Sequence, residues 1–205
     1  VQKQHIDPLT DHRFIDLASG ALAATPQVTA IGFVTADYRL IRVFRSEKTG
    51  IQTAIEPQDS PVVRAAVNQT AEAPKPYWGE IFWSDTVKQP LINLRAPVRA
   101  GDHFLGAMFV VLSVANISAT LNEVAENSAA TAFILVDRDH VLAHPNLVYG
   151  FTGRSARDPL PLISQVHDRV LAAIWTPQGA IDRERSNRFL GGHGHIGHVN
   201  GEPYV

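Results

Sequence analysis

The fold of this chain depends most on the stretch Leu91-Ile-Asn-Leu-Arg-Ala-Pro-Val-Arg-Ala-Gly-Asp-His-Phe-Leu-Gly-Ala-Met-Phe-Val-Val-Leu-Ser113. Its two ends, Leu91 to Arg99 and Phe104 to Ser113, are rich in the aliphatic and aromatic residues that favour β-strands. Between them, Ala100-Gly101-Asp102 has the composition of a tight turn. The stretch therefore predicts two adjacent antiparallel strands.

The residues before this strand pair predict a helix and a second strand pair. Apolar residues recur at helical spacing from Leu9 to Ala23, and Pro26 ends the segment. The β-rich run Val28 to Thr35 and the run Leu40 to Arg45 flank an acidic turn at Asp37. This order of runs and turn predicts two strands joined by a short connection.

The segment between the two strand pairs is punctuated by glycine and proline. Gly50 and Pro57 predict a loop, and Ser60-Pro61 predicts the start of a short helix that ends near Gln69. Pro74 and Pro76 then interrupt the chain, and we expect a further strand over Gly79 to Trp83.

The same order of elements begins again in the second half. Ser113 or Asn116 can cap a helix that ends near Asn127, and a strand, an acidic turn and a strand follow over Thr131 to His144. At an offset of 102 residues (131 − 29), the two halves share Thr-Ala, a valine, an aspartate and a leucine. We therefore expect two α+β units, the second with a helix over Leu160 to Ile174 and strands from about Arg188.

The composition is that of a folded protein with one large domain or two small ones. The chain has 205 residues, is 45% hydrophobic and 19% charged, and has a net charge of −2. This balance gives no electrostatic reason to bind nucleic acid or an anionic membrane. The absence of cysteine excludes thiolate catalysis, cysteine-ligated zinc and disulfide bonds.

The ends of the sequence predict a piece of a longer protein. The only methionine is Met108, so Val1 is not expected to be a translation start, and Val205 falls inside a strand-like pattern. No apolar run approaches the ~20 residues that a membrane-spanning helix needs. We expect any membrane anchor, and any catalytic cyclase or kinase domain, outside this chain.

Neither catalysis nor a cofactor is predicted for the chain itself. No nucleophile elbow, phosphate loop, zinc-protease motif or dinucleotide fingerprint is present in the sequence. His193, His195 and His198 lie in a glycine-rich stretch, and the first two share one face of a strand. Because no acidic residue lies at ligand-like spacing beside them, we predict no metal site there and leave the question open.

The candidate ligand-binding residues come from one aromatic segment and two arginines. Tyr77, Trp78 and Trp83 lie close to Asp85 within Lys75 to Asp85, and aromatic walls with a few polar groups are typical of small-molecule pockets. Arg42 and Arg95 each interrupt an apolar strand, so an inward side chain would need an anion. The alternative is that the tryptophans fill a core and the charges face water. The predicted site comprises Arg42, Tyr77, Trp78, Trp83, Asp85 and Arg95.

The order of these elements, and above all Ala132-Phe-Ile-Leu-Val-Asp-Arg-Asp-His-Val-Leu-Ala-His-Pro145 after a connecting helix, resembles a double Cache domain. Such domains are the extracytoplasmic, PAS-like sensor regions of bacterial transmembrane receptors. The resemblance implies an N-terminal helix over residues 1–27, a membrane-distal unit over 28–113, a connecting helix over 114–128 and a membrane-proximal unit over 129–205.

The resemblance also implies a function. The expected role is a periplasmic small-molecule sensor of an inner-membrane cyclase, histidine kinase or chemoreceptor, with the ligand in the distal unit. The amino-acid-binding branch carries an Arg-x-Trp-Tyr signature where this chain has Lys75-Pro-Tyr-Trp78, and an acid where this chain has Val111. We therefore expect an anionic ligand rather than an amino acid. The alternative is a ligand-free structural or dimerisation module, and a homodimer is left open.

Overall fold

The computed structural model describes residues 12–46, 49–57, 60–85, 87–128 and 132–175, and the backbone of four short strands between residues 188 and 204. The chain divides into two compact units. One comprises Val1–Phe133 and Ala143–Pro159, and the other comprises Ile134–Leu142 and Leu160–Val205.

The larger unit is a sheet with helices, and its order of elements follows the sequence prediction closely. The elements are α1 (His12–Ala24), β1 (Val28–Thr35), β2 (Arg39–Ser46), β3 (Gly50–Pro57), α2 (Pro61–Glu72), β4 (Tyr77–Trp78), β5 (Phe82–Ser84), β6 (Gln89–Ala100), β7 (His103–Ser113) and α3 (Val114–Ser128).

One antiparallel sheet of seven strands contains all of these strands. The order along its main path is β3-β2-β1-β7-β6-β4, and β5 also pairs with β6. The strand pair predicted from Leu91 to Ser113 is confirmed as β6 and β7, which pair antiparallel from Leu91 opposite Ser113 to Ala100 opposite His103. Gly101 takes a positive φ of 59° in the turn between them, a conformation that glycine adopts without steric cost.

Two predictions about the middle of the chain are wrong. Residues Gly50–Pro57 form the edge strand β3 rather than a loop. The glycine and proline that suggested a loop lie at its two ends, and an edge strand tolerates proline because one side of its backbone needs no ladder partner. The single strand expected over Gly79 to Trp83 is instead two short strands, β4 and β5, with Gly79 in the break.

The connection between β1 and β2 is the predicted acidic turn. Thr35 Oγ1 donates a hydrogen bond to Asp37 Oδ1, and the Arg39 guanidinium lies 3.1 Å from Asp37 Oδ2. The Thr35 hydrogen bond and then the Arg39 charge lower the pKa of the exposed Asp37 carboxyl. The turn is therefore held by local polar contacts at the surface.

The sheet buries apolar side chains on both faces, and each face is covered by a helix. Ala18 and Leu22 of α1 form a buried cluster with Val28, Ile31 and Val43 on one face. The opposite face carries a second buried cluster, which consists of Val34, Leu40, Ala107 and, from α2, Val67. Alternation along β1 and β2 supplies both clusters, because successive residues of a strand point to opposite faces.

Arg45 of β2 forms hydrogen bonds to the backbone at the C-terminal end of α1. Its Nε donates to the carbonyl of Val28 at 3.0 Å, and its Nη2 donates to the carbonyls of Leu22 and, at 3.2 Å, Thr25. The last carbonyls of a helix lack partners within the helix, and a guanidinium satisfies several of them at once. α1 is thereby held to β2 by polar contacts as well as by packing.

The stretch 132–145, on which the resemblance rests most, ends at His144-Pro145, and the structure places His144 against α3. The fully buried His144 donates its backbone N–H to Ser118 Oγ at 3.2 Å, and its Nδ1 accepts from the backbone N–H of Asn146 at 3.0 Å. α3 itself begins as predicted, with Ser113 Oγ accepting from the backbone N–H of Asn116 at 3.1 Å.

The smaller unit contains β8 (Ile134–Val136), β9 (His140–Ala143), α4 (Arg169–Ala173), β10 (Arg188–Phe189), β11 (Gly192–His193), β12 (Gly197–Val199) and β13 (Glu202–Tyr204). β8 pairs with β9 and not with β1, so the two strand pairs lie in separate sheets, as predicted. The continuous helix predicted over Leu160 to Ile174 is wrong. A single 3-10 turn, Ile163–Gln165, precedes α4, because His167 has a φ of 56° and the Asp168 side chain caps a new helix start.

Candidate functional site

A cavity of about 260 Å3 lies between α2 and the sheet of the larger unit. α2 begins at Ser60, whose side chain accepts from the backbone N–H of Val63, and Pro61 occupies the first turn. Residues spaced three and four apart then share one face of the helix. This face lines the cavity with Val63, Ala66, Val67 and Thr70.

The sheet side of the cavity is mostly apolar. Its apolar lining comes from alternate positions of β1, β2 and β7. These lining residues are Val34, Leu40, Ala107, Phe109 and Val111. These strands are adjacent in the sheet order, so their inward side chains form a continuous floor. Such walls can bind the apolar part of a small molecule.

Of the described residues that line this cavity, Arg95 is the one basic residue, and neighbouring side chains orient it. Its Nε donates to Asn93 Oδ1 at 2.9 Å, and its Nη1 donates to Gln69 Oε1 of α2 at 3.3 Å. A guanidinium has five N–H donors, so within the described residues three remain for other partners. Arg95 is therefore a positioned cation with unused donors at the cavity wall.

Gly79 makes room for this arginine. Its backbone N–H donates to the carbonyl of Asn93 at 2.8 Å. A Cβ at Gly79 would overlap with Asn93 Oδ1 and lie 2.8 Å from Arg95 Nε. The break between β4 and β5 thus places a bare backbone directly against the guanidinium, and only glycine allows this approach.

The opening of the cavity is marked by its solvent-exposed lining residues. Val62, Glu80 and Phe82 belong to the lining and are exposed. Glu80 is the acidic residue of the lining, so one positive and one negative side chain face an otherwise chiefly apolar space.

Tyr77 lies next to the cavity through Thr70. Thr70 Oγ1 donates to the carbonyl of Ala66 at 2.7 Å and lies 2.9 Å from the Tyr77 hydroxyl. Because the threonine proton is directed to Ala66, the tyrosine hydroxyl acts as the donor to Thr70. Tyr77 also pairs with Arg95 in the sheet register, so the two side chains share a face.

Arg42 occupies the same face of the sheet but lies outside the lining of the cavity. The register runs Arg95–Phe109–Gly32–Arg42 across four strands, and directly paired residues share a face. Arg42 stacks over Phe44 at 5.0 Å from the ring centroid and lies 3.1 Å from Glu56 Oε1. The structure therefore brings both predicted arginines to one face and gives them different neighbours.

The remaining predicted site residues also lie outside the lining. Trp78 pairs with Leu94 and is 57% exposed, and Trp83 pairs with Pro90 and is half-buried. The Asp85 side chain is 86% exposed and lies 3.3 Å from Lys88 Nζ. Their part in ligand binding stays a prediction.

Sequence reasoning missed Asn93 of β6 and the residues that α2 and β7 contribute. The α2 valines, Gln69, Asn93 and Phe109 carry no motif, and nothing in the sequence shows that α2 covers this face. One signal was available, since Asn93 and Arg95 are polar residues two apart in a predicted strand and must share a face.

Two features of the described residues bear on metal binding and on membrane insertion. No group of three or more histidine, aspartate and glutamate side chains within that part of the chain could hold a metal ion. The side chains of His193, His195 and His198 lie outside the described residues. No helix in the described part is long and apolar enough to cross a membrane.

Comparison with solved structures identifies the fold. The sensory domain of the Campylobacter jejuni chemoreceptor Tlp3 (CcmL) is similar with a TM-score of 0.56 and 9% identity, over 98% of this chain and 72% of that one. The ligand-binding domain of the same chemoreceptor in complex with L-norvaline has a TM-score of 0.54 and 11% identity, over 98% and 69%. The extracellular domain of soHK1S-Z6, described as a histidine kinase, has a TM-score of 0.50 and 12% identity, over 70% and 57%.

No family model matches the sequence, and no curated protein matches it. The structural similarity at these identities concerns the fold. The chain therefore has the α+β fold of extracellular sensory domains, as the resemblance to double Cache domains predicted. A fold of this kind supports many ligands, so the function has to be argued from the cavity.

Proposed function

We propose that this chain is the extracytoplasmic sensor domain of a transmembrane signalling protein, and that the cavity beneath α2 binds a small molecule with an anionic group. The observation that carries the proposal is Arg95, which lines a mostly apolar cavity. Its guanidinium is oriented by a hydrogen bond to Asn93 and has N–H donors left for a ligand. A carboxylate can accept two parallel, charge-assisted hydrogen bonds from such a group.

The fold adds a second line of support. A Tlp3 domain of the same fold was solved in complex with L-norvaline, so this architecture binds a small molecule in at least that protein. In the proposed sensor, residues 28–113 form the membrane-distal unit, and segments outside this chain attach the protein to the inner membrane. The proposal is compatible with a homodimer and with a kinase, chemoreceptor or cyclase as the signalling protein.

The proposed mechanism is a shift of a conformational equilibrium. A ligand can bias signalling only by binding one arrangement of the sensor more tightly than another. α1 packs on the opposite face of the sheet from the cavity, and Arg45 fixes its end to β2. Small changes in β1 and β2 on ligand binding would therefore reach the helix.

Melting temperatures in the presence of small carboxylates, amines, sugars and free amino acids test this function. A ligand at 100 times its Kd stabilises the folded state by about 2.7 kcal/mol, which for a chain of this size is roughly 5–10 °C. We expect such shifts from compounds with a carboxylate. If no compound shifts the melting temperature, the ligand-free module is the better account, and shifts from cations alone would contradict the anionic site.

Gly79→Ala should weaken carboxylate binding by about tenfold without removing any polar group. The new Cβ would displace the guanidinium from Asn93, and one hydrogen bond to a charged group is worth about 1.5 kcal/mol or more. Isothermal titration calorimetry gives the affinity. Gly20→Ala is the matched control, because a Cβ there meets nothing within 4 Å. Equal affinities of the two variants would show that carboxylate binding does not depend on the placement of the Arg95 guanidinium against Gly79.

A further inference from the structure

The ring of Phe109 forms part of the cavity wall and lies between Arg95 and Arg42 in the sheet register. Phe109 lines the cavity and pairs in register with Gly32, which pairs in turn with Arg42. A Cβ at Gly32 would overlap with Phe109 Cζ and lie 2.8 Å from the carbonyl oxygen of Ile41. The tip of the ring therefore lies over the bare backbone of Gly32, where any other residue would displace it.

This arrangement separates the two arginines of the face. Arg95 and Arg42 are three strand spacings apart, which is about 14 Å between their backbones. Arg95 is open to the cavity, whereas Arg42 lies beyond the ring, next to Glu56. A ligand whose anionic end is held by Arg95 therefore meets an aromatic wall and aliphatic side chains, and no second cation of the lining.

The volume of the cavity limits the part of a ligand that it can enclose. Its volume is about 260 Å3, and a water-sized group occupies about 30 Å3, so it has room for about eight non-hydrogen atoms. A carboxylate takes three of these. About five carbons then remain to lie among the valines of α2 and the strand residues of the floor.

We infer that the ligand is an aliphatic monocarboxylate of about six carbons, and that Phe109 is the residue that sets its chain length. This inference rests on the proposed function, because it assumes that Arg95 holds the carboxylate. A second carboxylate at the far end would be buried without a partner, which is unfavourable. At the opening it would meet the acidic side chain of Glu80.

Calorimetric titration with the straight-chain carboxylates from acetate to nonanoate tests the inference. Each methylene buried against the apolar walls should raise the affinity of the unmodified chain about fourfold, up to about six carbons, and longer acids should bind more weakly. In Phe109→Ala the loss of the ring enlarges the cavity toward Gly32 and Arg42, so the rise should continue for about two more carbons. Phe109→Leu, a milder change, should shift the optimum in the same direction.

Phe14→Leu is the matched control. Phe14 is a partly buried phenylalanine of α1 that packs in the cluster on the opposite face of the sheet and does not line the cavity. We expect it to leave the preferred chain length unchanged. If the folded Phe109 variants keep the chain-length optimum of the unmodified protein, the role of Phe109 is refuted.

Two ligands with the same chain length as hexanoate distinguish a monocarboxylate from a dicarboxylate and from a zwitterion. The dependence on Arg95 tests the proposed function separately. Adipate and norleucine share the six-carbon chain of hexanoate but add a second carboxylate or an α-amino group, and both should bind at least about tenfold more weakly. If norleucine binds more tightly, and Glu80→Gln abolishes that preference, the ligand is a zwitterion and the inference is wrong. If no carboxylate binds in an Arg95-dependent manner, the proposed function itself fails.

Discussion

Arg95→Ala should weaken the binding of a small carboxylate by about 30-fold or more. Truncating one partner of a buried, hydrogen-bonded charge pair costs about 2–5 kcal/mol, and because Arg95 is only half-buried we expect the lower end of that range, about 30-fold. Among the described residues, the remaining lining offers the carboxylate no other cation. Titration calorimetry with hexanoate, the acid expected to fit best, gives the ratio directly.

Three further variants make this result specific. Arg39→Ala removes an arginine from the exposed β1–β2 turn, where it pairs with Asp37, and should change the affinity less than twofold. Arg95→Lys keeps the charge but loses the paired donors, so it should be intermediate. Arg42→Ala should act more weakly than Arg95→Ala, because the Phe109 ring stands between Arg42 and the cavity. An Arg95→Ala variant that binds as tightly as the unmodified chain would place the anion site elsewhere.

Gly106→Ala should destabilise the larger unit by about 3 kcal/mol. Gly106 lies in β7 with a φ of 156°, and a Cβ there would overlap with the carbonyl oxygen of Val34 and lie 2.6 Å from Phe33 Cζ. The first of these neighbours is strand backbone, which cannot rotate away. Overpacking of this kind costs about 1–3 kcal/mol in a core and more where the backbone must move.

Urea denaturation of the two proteins measures the change in the free energy of unfolding. Gly20→Ala in α1 serves as the control, since its Cβ meets nothing and alanine is about 0.5–1 kcal/mol better than glycine inside a helix. The two alanine variants should therefore shift stability in opposite directions. A loss below about 1 kcal/mol in Gly106→Ala would mean that β1 and β7 can separate without cost.

Local sequence patterns determined most of the secondary structure in the larger unit. The strand pair β6–β7, the turn at Asp37 and the start of α3 at Ser113 depend on residues close in sequence, so they were predicted correctly. β3 was missed because its glycine and proline are turn residues in isolation. They are accommodated only because the strand lies at the edge of the sheet.

In the smaller unit, local sequence patterns failed to predict where a helix begins. Apolar spacing over Leu160 to Ile174 fits one helix, yet Asp168 accepts hydrogen bonds from the backbone N–H groups of Val170 and Leu171. This cap starts a new helix and leaves His167 in a left-handed conformation. A side chain that competes for backbone donors thus overrode the periodicity.

By itself, the sequence determined that Arg95 interrupts an apolar strand, that Asn93 must share its face, and that the segment from Lys75 to Asp85 carries polar and aromatic groups. These are consequences of the two-residue period of a strand. Tertiary structure alone decided which face α2 covers and which strands lie next to β6. Register across four strands placed Phe109 over Gly32 and so separated Arg42 from Arg95, while Trp78 and Asp85 were left exposed. The physical reason is that alternation fixes the relative orientation of neighbouring residues, whereas the inward direction depends on pairing and packing between residues far apart in sequence.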